Sequence, residues 1–180
     1  PGDAYRRDVS LPRRQFMKHE ESRVAVVPGS FDPITYGHVD VIERAVAVFD
    51  RVIVGVAVNP DKEPLFSVEE RVSFIREVFE GNQRVLVEPY DTLLVDFARR
   101  HGARVIVRGL RAVSDFEREF QIAQFNKKLD RDIETFFVMS SPEFMYLSSS
   151  AVKEVARYGG CVRGLVPHHV EKVLGERFAI

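Results

Sequence analysis

The sequence predicts an α/β protein in which a parallel sheet is covered by helices on both faces. From Val24 onward, a short run of β-branched apolar residues is followed by a loop and then by a stretch with helical spacing, and this pattern repeats. Such repetition is typical of βαβ units around a parallel sheet. The run from Val52 to Val58 is apolar throughout instead of alternating, as expected for a strand that helices cover on both faces.

Five apolar runs are the predicted strands of this sheet. In chain order they are Arg23–Pro28, Arg51–Val58, Arg84–Val87, Arg104–Val107 and Glu134–Met139. Because the strands alternate with helical segments, we expect a Rossmann-like, doubly wound parallel sheet of about five strands with helices on both faces. No segment repeats at the fixed period of a solenoid.

The segments between the strands carry helical periods and helix end signals. The apolar faces of the first two predicted helices consist of Val39, Ile42, Val46 and Phe49, and of Val68, Val72, Ile75 and Phe79. Ser67 and Glu70 have the spacing of a capping box. Gly102 and Gly159 stand where helix C-caps belong, and Pro167 suits the first turn of a last helix.

A second capping box is predicted at Ser114 and Glu117, opening the helix that follows the fourth strand. The apolar residues that we expect this helix to pack inward are Phe116, Phe120 and Ala123.

Composition limits the class of protein. The 180 residues fit one domain of ordinary size, with 45% hydrophobic and 29% charged residues. The 26 Lys+Arg and 27 Asp+Glu residues give a net charge of −1, which removes the global electrostatic reason to expect a nucleic-acid partner. The apolar run from Val52 to Val58 is far shorter than the roughly 20 residues of a membrane-spanning helix, so we expect no membrane partner. The single cysteine, Cys161, excludes an internal disulfide and favours a reducing, cytoplasmic location.

The first 22 residues differ from the rest of the chain. They are polar and carry no apolar period or secretory signal, so we expect a disordered leader over residues 1–22 and a single domain over residues 23–180. Because Met17 lies within the leader, the residues before it could derive from an expression tag or an upstream start.

The position of a binding site follows from the predicted sheet. Open parallel sheets bind ligands beyond the carboxyl ends of their strands, where the strand order reverses. The loops that follow the predicted strands are Gly29–Gly37, Asn59–Phe66, Glu88–Asp91, Arg108–Ser114 and Ser140–Ser150.

The first of these loops contains two glycines, a hydroxyl group and an imidazole. Gly29 allows the backbone to approach a phosphate, and Ser30 offers a hydroxyl and an N–H. Gly37 and His38 open a helix whose free N–H groups favour an anion. The segment has neither the lysine of a Walker loop nor the G-x-G-x-x-G pattern. The alternative is that Gly37 makes a turn and His38 caps the helix.

Cations follow two other strands. Arg108 and Arg111 come directly after the fourth strand, where guanidinium groups suit bidentate recognition of phosphate. Lys62 lies in the second loop, where it either faces a ligand or belongs to the solvated surface. The alternative for the two arginines is ion pairing with acids of the next helix, Asp115, Glu117 or Glu119.

The fifth loop places three hydroxyl groups, those of Ser148, Ser149 and Ser150, at the start of a helix, with Lys153 one turn further on. An ordinary N-cap would account for one serine but not for three. The cluster therefore predicts a second anion site, facing the first across the open end of the sheet.

Three motifs in this order resemble a known family. Thr35-Tyr36-Gly37-His38 matches the T/H-x-G-H signature of the nucleotidyltransferase superfamily, and Ser148-Ser149-Ser150-x-x-Lys153 resembles its second nucleotide-binding motif. The longer segments 28–35, 108–117 and 148–154 (PGSFDPIT, RGLRAVSDFE and SSSAVKE) are similar to those of bacterial phosphopantetheine adenylyltransferases. The resemblance covers about residues 23 to 178.

The resemblance implies an enzyme of coenzyme A synthesis that moves AMP from ATP to 4′-phosphopantetheine, giving dephospho-CoA and pyrophosphate. It implies that Mg²⁺ takes part, that CoA inhibits in the same pocket, and that the chain forms a homohexamer.

The resemblance also implies roles for individual residues. Ser30 and Phe31 would contact both ligands, and His38 would contact the ATP phosphates. The other residues expected to hold ATP are Gly109, Leu110, Arg111, Glu119, Phe144, Met145, Tyr146, Leu147, Ser148, Ser149 and Ser150. Those expected to hold the acceptor are Ser30, Lys62, Leu94 and Arg108. We expect His38, Lys62 and Arg111 to be catalytic, and we expect no metal site built from protein side chains.

Two alternative functions remain open at this point. One is adenylyl or cytidylyl transfer to another phosphate-bearing acceptor, such as nicotinate mononucleotide, in which Lys62, Leu94 and the loop Glu88–Asp91 would discriminate between acceptors. The other is a non-catalytic nucleotide sensor with the same fold.

Overall fold

Five strands form one parallel sheet. The structure, a computed structural model, describes residues 22–59 and 63–178. The strands are β1 (Val24–Gly29), β2 (Arg51–Ala57), β3 (Val85–Tyr90), β4 (Val105–Leu110) and β5 (Glu134–Met139). Their order is β3-β2-β1-β4-β5, and every neighbouring pair is parallel. The predicted fold class is confirmed, whereas the predicted leader up to residue 21 lies outside the described residues.

In the described part of the chain, six α-helices connect or follow the strands. They are α1 (Tyr36–Val48), α2 (Val68–Val78), α3 (Leu94–Arg100), α4 (Val113–Leu129), α5 (Ser149–Arg157) and α6 (His168–Phe178), with a 3-10 turn at Pro142–Phe144. Within the described residues, none of these helices is long and apolar enough to cross a membrane.

The predicted helix end signals have mixed outcomes. The Ser67 hydroxyl accepts the Glu70 N–H at 3.2 Å, and the Glu70 carboxylate accepts the Ser67 N–H at 2.7 Å, which confirms the first capping box. Gly102 and Gly159 follow helix ends with φ of 67° and 77°, a conformation that favours glycine. The second box is wrong: α4 begins at Val113, one residue before the serine that was expected to cap it.

The sheet separates two apolar layers, because successive side chains of a strand point to opposite faces. One layer joins alternate residues of β1 and β2 to α1, α2, α5 and α6. The other joins Val26, Ile53 and Ile106 to α3, where Phe97 is completely buried. Burying one such phenyl ring contributes about 1.5–3 kcal/mol. Helices on both faces leave the ends of the strands as the open surfaces of the sheet.

Two strands run further than the sequence predicted. β3 continues to Tyr90 and β4 to Leu110, three residues beyond the predicted ends. Polar residues interrupt both apolar runs, but the parallel pairing continues: Glu88 lies opposite Gly55, and Arg108 lies opposite Phe137. Backbone pairing does not depend on side-chain polarity, so the apolar pattern ended too early.

The inward orientation predicted for Phe116 and Phe120 of α4 is also wrong, whereas Ala123 is partly buried. Phe116 and Phe120 are 44% and 48% exposed instead of packed inward. The face of α4 that turns to the sheet carries partly buried or buried residues at Asp115, Glu119 and Asn126. Each residue advances a helix by about 100°, so the two phenyl rings lie to one side of this face. The ring of Phe116 lies 5.7 Å from that of Phe120 and 6.1 Å from that of Phe137 on β5.

Candidate active site

The strand order reverses between β1 and β4, because β2 and β3 lie on one side of this pair and β5 lies on the other side of β4. A cleft of about 630 Å³ opens at the carboxyl ends of these two strands. Its walls come from the loop after β1, the start of α1, the end of β4, the first turns of α4 and the start of α5. This is the position that the topology of the predicted sheet requires.

Most of the predicted site residues line this one cleft. They are Ser30, Phe31, His38, Arg108, Gly109, Arg111, Glu119, Leu147, Ser148, Ser149 and Ser150. The convergence joins segments that are far apart in the chain, from residue 30 to residue 150.

Other predicted site residues are not part of the lining. Leu110 is buried at the end of β4, and Leu94 packs on the α3 side of the sheet. Met145 and Tyr146 are exposed. Phe144 packs against the start of α1, where a Cβ added to Gly37 would lie 3.5 Å from the Cβ of Phe144. Lys62 lies outside the described residues. The roles of these six residues remain predictions.

Asp32 anchors the loop after β1 to the segment that precedes α2. This residue is 6% exposed, and its carboxylate accepts the N–H groups of Leu65 and Phe66 at 3.0 and 2.9 Å. The same carboxylate forms an ion pair with Lys153 of α5 at 2.5 Å. This ion pair holds Lys153, which is not among the residues that line the cleft.

His38 has a defined tautomer because of its position in the first turn of α1. Its Nδ1 accepts the backbone N–H of Thr35 at 3.0 Å, so the ring proton of the neutral form is on Nε2. The ring packs edge-on against Phe31 with centroids 5.1 Å apart. His38 thus caps the helix, as the alternative interpretation held, and also lines the cleft.

The charge state of His38 follows from its surroundings. Burial, and then the positive charges of Arg111 and Arg108, lower the pKa of His38 from 6.5 to about 4. At neutral pH the imidazole is therefore uncharged, and it can offer the Nε2 proton as a hydrogen-bond donor.

Arg108 and Arg111 form the ion pairs that the sequence left as an alternative. Arg108 donates to both carboxylate oxygens of Glu119, at 2.6 and 2.5 Å, and to the Pro28 carbonyl at 2.9 Å. Arg111 donates to Asp115 at 3.1 and 3.3 Å and to the Leu147 carbonyl at 3.1 Å. Both guanidinium groups nevertheless line the cleft, and the carboxylates hold them in place there.

A third arginine, Arg118, was not predicted. It lines the cleft and is exposed, and it has no hydrogen-bond or ion-pair partner among the described residues. Since the described lining holds three arginines, two carboxylates and a neutral His38, the cleft carries a net positive charge. The spacing of Asp115, Arg118 and Glu119 places them on one face of a helix and could have revealed Arg118.

Two of the three clustered serines have structural partners. Ser148 is the N-cap of α5, where its hydroxyl accepts the Ala151 N–H at 3.1 Å. The Ser149 hydroxyl donates to the Pro33 carbonyl at 2.8 Å and so joins α5 to the loop after β1. Ser150 is exposed in the cleft wall. The start of α5 therefore offers the cleft backbone N–H groups and one exposed hydroxyl.

Phe31 has an uncommon backbone conformation. Its φ of 48° is positive, which is true of no other non-glycine residue in the described part of the chain. For a bulky residue this conformation costs on the order of 1–3 kcal/mol and persists only where surrounding contacts enforce it. Its ring is 2% exposed and fills the space beside Gly29, where an added Cβ would lie 2.8 Å from the ring.

Across residues 22–59 and 63–178, no three His, Cys, Asp or Glu side chains lie together as ligands for an ion.

Comparison with known proteins identifies relatives. A model of the cytidylyltransferase-like family matches residues 26–155. The chain is 56% identical to the phosphopantetheine adenylyltransferase of Moorella thermoacetica over 156 residues, which are 87% of this chain and 98% of that protein. It is 53% identical to the enzyme of the same name from Carboxydothermus hydrogenoformans over 156 residues, 87% of this chain and 96% of that protein. The corresponding protein of Clostridium novyi is 56% identical over 150 residues, 83% of this chain and 93% of its own length.

The lowered pKa of His38 makes stability depend on pH in a defined direction. Between its ordinary pKa of 6.5 and the folded value of about 4, the unfolded chain binds the proton more readily. The stability that the neutral His38 contributes is therefore fully present above pH 6.5 and is lost as the pH falls towards 4. The free energy of unfolding, measured with urea, should fall less between about pH 7 and about pH 5 for His38→Gln than for the unmodified chain.

His168→Gln is the matched control, because His168 is exposed on α6, and it should keep the pH dependence of the unmodified chain. Nitrogen NMR of the imidazole should show the neutral Nε2–H form of His38 at about pH 6. A charged His38 ring at that pH would contradict this assignment.

Proposed function

The chain belongs to the phosphopantetheine adenylyltransferases of the cytidylyltransferase-like family, and we propose that the cleft between β1 and β4 is where it performs their reaction. The enzyme moves AMP from ATP to 4′-phosphopantetheine and releases dephospho-CoA and pyrophosphate. The observation that supports this location is the meeting, in one cleft, of groups suited to phosphate binding from five segments of the chain. Neither transfer to nicotinate mononucleotide nor a sensor role is favoured, because relatives of this name match more than four fifths of the chain.

The main obstacle to the reaction is electrostatic. Both reactants carry phosphate groups, and their repulsion opposes contact between the attacking oxygen and the phosphorus. The cleft is suited to this problem, because its described lining has a net positive charge and includes the starts of two helices. Helix starts favour anions through their free N–H groups and their partial positive charge.

ATP would occupy the part of the cleft formed by the end of β4 and the start of α5. Gly109 brings the backbone of β4 close to α1, since an added Cβ would lie 2.9 Å from the Val41 side chain. Arg111 and His38 would donate to the phosphate groups, with Leu147 as an apolar contact. We retain the predicted ATP contacts of Leu110 and of residues 144–146 as part of this proposal.

The acceptor phosphate would lie near Ser30 and Arg108. Arg108 reaches across from β4 to the Pro28 carbonyl on β1, so its guanidinium group spans the point where the strand order reverses. An incoming phosphate would compete with Glu119 for the donors of Arg108. Lys62 and Leu94 complete the proposed acceptor site.

The chemistry itself needs positioning and no covalent intermediate on the protein. A phosphate oxygen of 4′-phosphopantetheine attacks the α-phosphorus of ATP, and the bond from that phosphorus to the departing pyrophosphate breaks on the opposite side. The Nε2 proton of His38 and the guanidinium of Arg111 would stabilise the negative charge that spreads over the transferring group. Because His38 is neutral, it donates a hydrogen bond and adds no further positive charge next to Arg108 and Arg111.

We propose that Mg²⁺ enters this cleft as a partner of the nucleotide. Mg²⁺ takes oxygen ligands and keeps several waters, so phosphate oxygens can supply much of its coordination. The two carboxylates of the described lining, those of Asp115 and Glu119, already bond to arginines. When bound to phosphate oxygens, the ion supplies positive charge.

The exposed single cysteine, Cys161, agrees with the cytoplasmic location that we propose.

Association of the chain with copies of itself is a further part of the proposal. Exposed apolar side chains lie on one side of α4 and on the α4 side of the edge strand β5; they are Phe116, Phe120 and Met139. Such a face on an edge strand is suited to burial against another protein surface. We propose that these residues, the α4–β5 face, contribute to a homohexamer. CoA, which contains the 4′-phosphopantetheine group, would inhibit in the same cleft.

A direct assay tests the reaction and the role of His38. The purified chain with ATP, magnesium and 4′-phosphopantetheine should release pyrophosphate. His38→Ala should lower kcat by roughly 10²- to 10³-fold, the cost of losing one preorganised donor. His38→Gln should lose less, because its amide can present an N–H near the position of Nε2.

Nicotinate mononucleotide is the control acceptor and should give no more than background pyrophosphate. Equal turnover with this acceptor would contradict the proposed substrate. Unchanged kcat in His38→Ala would remove His38 from the mechanism.

The guanidinium group of Arg118, which has no partner in the described part of the chain, should contribute to binding of a reactant. A hydrogen bond that involves a charged group is worth about 1.5–3 kcal/mol, so Arg118→Ala should raise the KM of ATP or of 4′-phosphopantetheine by about tenfold or more. Initial rates with each substrate varied in turn will show which reactant it contacts. Arg157→Ala is the matched control, since Arg157 is exposed at the end of α5 and does not line the cleft. If both KM values stay unchanged in Arg118→Ala, the residue does not bind a reactant.

The α4–β5 face can be tested by a charge in its centre. Phe120→Glu should reduce the mass measured by light scattering from about sixfold that of the chain to a smaller species, because a buried carboxylate opposes association. Tyr158→Glu is the matched control, since Tyr158 is 82% exposed and lies after α5, outside this face. A Phe120→Glu variant that keeps the mass of the unmodified assembly would exclude this face as the interface.

A further inference from the structure

A buried arginine lies behind the loop after β1. Arg71, in the first half of α2, is 3% exposed. Its guanidinium group donates to four backbone carbonyls: those of Ser30 at 2.6 Å, Ala57 at 3.1 Å, Phe66 at 3.2 Å and Ser67 at 3.3 Å. It therefore connects the start of its own helix to the ends of β1 and β2. The family resemblance assigned it no role.

The burial of this charge is not explained by packing. Burial lowers the pKa of Arg71, while the negative charges of Asp32 and Glu69 act in the opposite direction. A leucine or methionine would fill the same space without burying a charge, but it would leave these carbonyls without the donors of Arg71. The four carbonyls indicate a different use, which is to fix the direction of peptide groups.

The direction of one peptide group matters for the cleft. In a trans peptide the C=O and the N–H point in opposite directions. The Ser30 carbonyl points at Arg71, which lies behind the loop, so the N–H of Phe31 points away from Arg71. Ser30 and Phe31 both line the cleft, whereas Arg71 does not. The Phe31 N–H donates to no residue in the described part of the chain.

The backbone at Phe31 agrees with an enforced orientation. Its φ of 48° is a conformation that a phenylalanine leaves when nothing holds it. The buried Phe31 ring holds this residue from one side, and the bond between Arg71 and the preceding carbonyl holds it from the other.

We propose that Arg71 is a positioning residue, which holds the Ser30 carbonyl so that the Phe31 N–H faces the cleft and donates to a phosphate group of a bound reactant. The inference rests on the proposed function, since it requires that phosphate-bearing reactants occupy this cleft. That phosphate group belongs either to ATP or to 4′-phosphopantetheine, and the experiment distinguishes the two.

Kinetics provide the first test. Arg71→Met removes the donors at similar side-chain length, and Arg71→Lys keeps the charge but loses the planar fork. The matched control is Arg84→Met, because Arg84 also donates to backbone carbonyls, those of Val46, Phe49 and Asp50, at the other end of the sheet. Both methionine variants should lower the Tm. Well below each Tm, Arg71→Met should lose about 10- to 100-fold in kcat/KM, Arg71→Lys should lose less, and Arg84→Met should stay within twofold of the unmodified enzyme.

Activity alone does not isolate the Phe31 N–H, because Arg71 also bonds to the Ala57 carbonyl. A selective NMR label does. The sequence contains two Ser-Phe steps, at residues 30–31 and 73–74. Serine labelled at the carbonyl carbon and phenylalanine labelled at nitrogen therefore give two amide signals, and Phe74 in α2 is the internal control.

In the unmodified enzyme, ATP or 4′-phosphopantetheine should shift the Phe31 amide proton downfield and leave Phe74 unchanged. The ligand that causes the shift supplies the phosphate group. In Arg71→Lys, which keeps the assay usable if Arg71→Met fails to fold, this shift should be smaller.

Three outcomes would overturn the inference. In the first, calorimetry shows that both ligands bind, but neither moves the Phe31 signal; the proposed function then stands and the role of Arg71 does not. In the second, the Arg71 variants keep the full shift and kcat/KM within twofold. In the third, Arg71→Met and Arg84→Met lose activity equally, which would make Arg71 a structural residue only. If neither ligand binds, the proposed function fails together with the inference.

Discussion

Repulsion between two phosphate groups is the constraint on which this structure depends. An adenylyltransferase must bring them into contact in a site that excludes much of the water that would screen them. The sheet provides the place, because its strand order reverses between β1 and β4 and opens a cleft there. The cleft is lined by three guanidinium groups, two of which are held by carboxylates of α4, and by the starts of two helices. The protein therefore carries most of the cost of arranging positive charge when it folds, before either reactant binds.

The cations are held in different ways, and the difference has consequences. Arg108 and Arg111 are paired with acids of α4, so an incoming phosphate exchanges one negative partner for another. Arg118 has no such partner in the described part of the chain and supplies the charge by which the described lining exceeds neutrality. His38 adds a donor without adding charge, because burial and the nearby arginines keep it neutral. One cleft thus combines guanidinium groups in fixed positions with a neutral imidazole donor.

The sequence was sufficient for the order of strands and helices, for most of the helix end signals and for the place of the cleft, since periodicity, capping and topology act locally or through simple rules. It was insufficient where tertiary contacts decide. β3 and β4 extend past Glu88 and Arg108 because neighbouring strands continue to pair with them. Phe116 and Phe120 face outward because the acids of α4 turn towards the arginines of the cleft. Ser149 donates a hydrogen bond to a carbonyl 116 residues away in the sequence, which no local pattern indicates. Arg71 lies in an amphipathic helix and resembles a surface residue in the sequence, because its carbonyl partners become visible only in the structure.

The central claim is that the cleft aligns two anions for one direct displacement and that no protein group becomes bonded to the nucleotide. The stereochemical course at the α-phosphorus tests it most directly. With ATP that carries sulfur in one defined configuration at that phosphorus, a single in-line displacement predicts dephospho-CoA of inverted configuration. Retained configuration would require two displacements through an adenylylated residue, and it would contradict the mechanism.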